Sequence, residues 1–164
     1  LDLRSSQFQN LANTFGMGGQ LGPLNDFLNS PEGESLGVIY VTDLMAAMFG
    51  GLPTLLNVSV IDFPNATPEY LMELIEFNMD SFSDSLGDVE MQQLTTATIN
   101  NLPGVRGQAT ADLSSVGMNA QITAKVVGLI ANDKIYILTV ATQSSSFAGK
   151  DAQFEQIIGS FRPE

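Results

Sequence analysis

The chain has 164 residues, of which 44% are apolar and only 15% charged, and its formal net charge is −12. That length suits one domain with a real core, and that charge repels phosphate backbones and acidic lipid surfaces, which argues against nucleic-acid binding and adhesion to anionic membranes. The sequence contains neither Cys nor His, so cysteine nucleophiles, thiolate and imidazole metal sites and histidine acid–base chemistry are excluded, leaving only the hard oxygen ligands that suit calcium or magnesium.

In chain order, residues 1–35 form an atypical Gly- and Asn-rich segment. Phe8, Leu11 and Phe15 recur at helical spacing and predict a short helix. Gly16, Gly18, Gly19, Gly22 and Pro23 then break the pattern, and Leu24, Phe27 and Leu28 resume it briefly. The composition shifts at residue 36, and residues 36–164 read as the main domain. Residues 37–41 are β-branched and aromatic and predict a buried strand. Residues 43–51 are open between one helical turn, with Leu44, Met45 and Met48 together, and a loop ended by Gly50, Gly51 and Pro53. A second strand follows over residues 54–63, with Leu56, Val58 and Val60 on one face and Asn57, Ser59 and Ile61 on the other.

Thr67, Pro68 and Glu69 mark a helix start. Thr67 caps, Pro68 suits the first helical position, and Glu69 faces the positive end of the helix dipole. The helix should run to Phe82, with Leu71, Leu74, Ile75, Asn78 and Phe82 on one stripe, and Gly87 ends it. Residues 89–99, 105–113, 119–131 and 134–142 read as strands. Residues 100–104 form a turn, and Asn132-Asp133 is a two-residue hairpin connection, since both types tolerate positive φ. Phe154, Ile157, Ile158 and Phe161 are spaced as the buried stripe of a last helix over residues 151–161. The order predicts an α+β domain, an antiparallel sheet of about five to seven strands flanked by helices.

Four stretches, taken in order, resemble the PsbP-like family. They are Asn57-Val58-Ser59-Val60 in a strand, the helix after it, the turn around Leu102-Pro103-Gly104 that leads into a strand, and the ending with Tyr136, Phe147, Phe154 and Phe161. The likeness covers roughly residues 36–162, and residues 1–35 depart from the family pattern. It implies an exported, extracytoplasmic binding or assembly module, tethered by a lipid or linker ahead of Leu1. The family's histidine metal sites have no counterpart here.

No constellation points to catalysis. Glu69, Glu73, Glu76 and Asp80 follow one another at helical spacing and read as a solvated outer face, the alternative being a hard-cation site. Glu32, Glu34 and Asp26 read as solubilising charge. No spacing pairs a serine with Lys125 or Lys134 as nucleophile and base. Met45, Met48, Phe49 and Leu52 form an apolar, glycine-interrupted segment. Burial over the sheet edge is its preferred reading, and contact with a protein partner makes these four the candidate partner-binding residues. The expectation is therefore a module that is not an enzyme, holds no cofactor, does not insert into a membrane and binds a basic protein partner. The alternatives are a small-ligand or ion carrier with a pocket between helix and sheet, and an unusual hydrolase.

Overall fold

The computed structural model describes residues 5, 6, 10, 38–41, 52, 54–86 and 89–163. Strands β1 (Val38–Val41) and β2 (Leu55–Asp62) lead into helix α1 (Pro68–Leu86). Strands β3 (Val89–Ile99), β4 (Leu102–Asp112), β5 (Gln121–Ala131) and β6 (Lys134–Gln143) follow, and helix α2 (Ser144–Ser160) closes the chain. The six strands form one sheet in the order β1-β2-β6-β5-β4-β3, and every ladder is antiparallel. This is the predicted α+β architecture.

Local chemistry sets the boundaries. The Tyr70 amide donates to Thr67 Oγ1 at 3.2 Å, so Thr67 caps α1 as its position predicts. The β5–β6 turn places Asn132 and Asp133 at φ 53° and 58°, the paired positive angles of a type I′ hairpin. The β3–β4 turn has the same form, with Asn100 and Asn101 at φ 53° and 65°. It is shorter than the turn predicted over residues 100–104, and β4 begins at Leu102. Pro103 fits there because Ile99 and Leu102 form the closing pair. Pro103 then falls in the following, non-hydrogen-bonded pair and removes no bond to β3.

The sheet is covered on both faces. On one face Leu71 and Ile75 of α1 pack with Val105, Ala109, Val126 and Ile135. On the other, Ile158 of α2 packs with Val127, Leu129, Tyr136 and Leu138. Successive residues such as Val126 and Val127 thus serve opposite cores, and central strands buried on both faces read as continuous apolar runs. A Cβ on Gly128 would lie 2.7 Å from Leu71 Cδ2, so this glycine lets α1 sit directly on β5.

Further expectations are corrected, and the first is that α1 runs to Leu86, past the expected end at Phe82. α2 begins at Ser144, not at residue 151. Three serines and Gly149 make its first half a poor helix by propensity, but Phe147 packs edge-on against Phe154 with centroids 5.7 Å apart, and this packing outweighs the propensity. Of the four residues expected in its buried stripe, Phe154 and Ile158 are buried, whereas Ile157 and Phe161 are only half-buried. Phe161 lies past the helix end, edge-on to Tyr136 at 5.7 Å.

Candidate functional site

The carboxylates of α1 stand where the helical spacing puts them. Glu69, Glu73 and Glu76 are exposed, and the helix carries Asp80 and Asp84 but no Lys or Arg. Two aromatic residues missed by the sequence reading share this outer side. Tyr70 is 37% exposed and Phe77 70%. With Glu73, they recur at the i, i+3, i+7 spacing of one helical stripe. Tyr70 also stacks on Phe63 with ring centroids 4.3 Å apart. The signal in the sequence is that Tyr70 and Phe77 fall off the Leu71/Leu74/Ile75 stripe, where large aromatics need another reason to exist.

The basic residues lie elsewhere. Arg106 and Lys125 rise from β4 and β5 on the α2 side, where Lys125 Nζ lies 2.6 Å from Asp151 Oδ1 and Arg106 Nη2 lies 2.8 Å from Glu155 Oε2. Lys125 also pairs with Glu155. Lys150 of α2 donates to Thr54 Oγ1 at 2.9 Å. Arg162 donates to the Gly159 carbonyl at 2.7 Å, at the end of the same helix. Lys134 alternates in β6 with Tyr136 and Leu138 of the α2-side core. Every Lys and Arg among the described residues therefore belongs to the α2 side of the sheet, and α1 presents only negative charge.

Within the ionic cluster, burial disfavours the charge of Glu155, but hydrogen bonds from Lys125 and Arg106 outweigh it and hold its pKa below the ordinary carboxylate value. Burial likewise opposes the charge of Lys125, and the hydrogen bonds to Asp151 and Glu155 outweigh it, raising its pKa. Arg106 Nε is buried without a hydrogen-bond partner. The cluster fastens α2 to the sheet. Lys125, weighed above as a partner for a serine, is engaged by these two carboxylates. On that side Thr123 Oγ1 and Ser144 Oγ share a hydrogen bond, 2.8 Å apart.

Of the predicted partner-binding residues, Met45, Met48 and Phe49 lie outside the described residues, and Leu52 is half-buried. Among the described residues no three acidic side chains converge as a metal-ligand set, and no helix is long and apolar enough to cross a membrane.

No family model and no curated protein matches the sequence. Solved structures do match in three dimensions. A protein of unknown function from Pseudomonas aeruginosa, PA94, has a TM-score of 0.57 at 11% identity, over 77% of this chain and 83% of that one. CyanoP, the cyanobacterial PsbP from Synechocystis sp. PCC 6803, has a TM-score of 0.51 at 14% identity, over 77% of this chain and 82% of that one. At these identities the likeness is one of fold, and the chain has the PsbP-like fold.

Proposed function

We propose that this chain is a non-catalytic binding module of an exported protein, and that its outer α1 face meets a partner protein of basic surface. The observation that carries the reading is the separation of charge across the sheet. Glu69, Glu73 and Glu76 stand exposed around Tyr70 and Phe77 on a helix without a basic residue, while the described Lys and Arg residues are held on the opposite side. Aromatic side chains ringed by charge suit protein interfaces, where the aromatics supply buried area and the charges steer the encounter. Met45, Met48, Phe49 and Leu52 are proposed as a second, apolar contact whose contribution salt does not screen. Extracytoplasmic placement rests on the resemblance to the PsbP-like family.

Photo-crosslinking from an introduced benzophenone residue tests the surface. A probe at Glu73 should capture a basic protein in the source cell, and one at the exposed Gln156 of α2 should not. Equal capture from both positions would place the interface elsewhere.

A further inference from the structure

Among the described residues the sheet ends on β3, which pairs there with β4 alone. An edge strand presents unpaired N–H and C=O groups, and proteins blunt such edges with bulges, charges or proline. The first half of β3 is blunted in this way. Glu90 is exposed, and the ladder jumps from Gln92 opposite Gln108 to Thr95 opposite Arg106, leaving an extra residue in β3. Gln93 takes up the bulge at φ 53°, and the bulge turns Leu94 over Gly107. The second half is not blunted. Residues 95–99, Thr-Thr-Ala-Thr-Ile, pair one for one with β4, carry no charge and no proline, and are β-branched except at Ala97. Because Ile99 and Leu102 close a two-residue hairpin, Thr96 and Thr98 are the residues that turn their backbone groups away from β4.

This short edge is fixed in place. Asn100, the next residue, donates its side-chain amide to the Ile158 and Phe161 carbonyls at 3.0 and 3.1 Å, so the strand end is ordered before any partner arrives. It also belongs to the sheet whose one face the acidic helix covers. α1 packs on β3 and β4 and runs back from β2 to the start of β3. Its Glu69–Glu76 half therefore stands toward the same end of the sheet as residues 95–99, crossing β5 at Gly128.

We propose that residues 95–99 of β3 accept an extended segment of a basic partner as a seventh strand, an inference that rests on the binding role assigned to the α1 face. Main-chain bonds to Thr96 and Thr98 hold the segment. Alternate side chains on its α1 face are Lys or Arg, drawn by the acidic α1 that covers the same face of the sheet. Those on the other face are apolar and extend the row of Ala97 and Ile99.

The probe is a seven-residue peptide of alternating Lys and Val, with two controls: the Glu–Val counterpart and a Lys–Val peptide N-methylated on alternate amides. Only the unmethylated Lys–Val peptide should bind and slow amide exchange at Thr96 and Thr98. Thr98→Pro, which an outward-facing edge position tolerates, should weaken binding about tenfold with an unchanged circular-dichroism spectrum. Glu73→Gln should also weaken it and flatten its salt dependence. Binding that survives both N-methylation and Thr98→Pro would overturn the added strand while leaving the acidic-face reading standing. Failure of the Lys–Val peptide to bind at all would overturn both. A concentration-dependent dimer abolished by Thr98→Pro would overturn the partner segment in favour of a second copy of the chain.

Discussion

Lys125 Nζ lies 2.6 Å from Asp151 Oδ1 and pairs as well with Glu155, so one lysine of the sheet holds two carboxylates on successive turns of α2. The pKa of Glu155 is lowered from its ordinary 4.5. Its contribution to stability is therefore full above that value and is lost as the pH falls through the lower, folded-state pKa. The pKa of Lys125 is raised above 10.5, so its contribution is full below that value and is lost at still higher pH. Urea unfolding across acid pH should show wild type losing stability more steeply than Glu155→Gln below about pH 4.5. Parallel curves would mean the cluster is not formed in solution.

Burial separates two phenylalanines that periodicity treats alike. Phe154 is 0% exposed, and Phe154→Ala should cost about 3–5 kcal/mol. Phe161 is half-buried, and Phe161→Ala should cost only about 1–2 kcal/mol, mostly through its edge contact with Tyr136. Chemical denaturation of the two variants measures the difference. Equal losses would contradict the observed end of α2.

Three glycines should respond to alanine in a definite order. A Cβ at Gly104 would stand 2.1 Å from the backbone oxygen of Gly128, which cannot move aside without disturbing the ladder. A Cβ at Gly128 meets the Leu71 side chain at 2.7 Å, and nothing lies within 4 Å of one at Gly149. Gly104→Ala should therefore destabilise most and Gly128→Ala by about 1–3 kcal/mol. Gly149→Ala, in the α2 interior, should stabilise by roughly 0.5–1 kcal/mol. Melting temperatures in any other order would contradict this packing.

The Asn100 amide joins the β3–β4 turn to the α2 terminus through two carbonyls. Asn100→Gly keeps the positive φ available but removes both bonds. It should cost about 1 kcal/mol and speed amide exchange in the last turn of α2, where a distant turn would leave exchange unchanged.

These particulars show where the fold was legible in the sequence. Thr67-Pro68-Glu69 and Asn132-Asp133 were readable because caps and two-residue hairpins depend on adjacent residues. The first half of α2 was not, because the Phe147–Phe154 contact that holds it needs a helix already formed. The cluster of Arg106, Lys125, Asp151 and Glu155 was invisible for a related reason. Its members are 30 and 49 residues apart across the hydrogen-bonded pairs to Glu155, and only the β4–β5 register brings them under one helix. The paired apolar residues of β5 and β6 did carry a signal of burial on both faces. The acidic run on α1 was legible as an exposed face, but its opposition to the basic side emerges only once the strand faces are known.

The most direct test of the proposed binding role is the ionic-strength dependence of complex formation with the protein captured from Glu73. It should be measured for wild type and for the double variant Glu73→Lys/Glu76→Lys. An acidic face that steers a basic partner predicts an association rate for wild type that falls steeply as salt shortens the screening length from about 30 Å at 0.01 M to about 8 Å at 0.15 M. The variant should associate slowly at low salt and show little or reversed dependence, with an unchanged melting temperature. A wild-type rate indifferent to salt, or a double variant that binds as fast as wild type, would contradict the account.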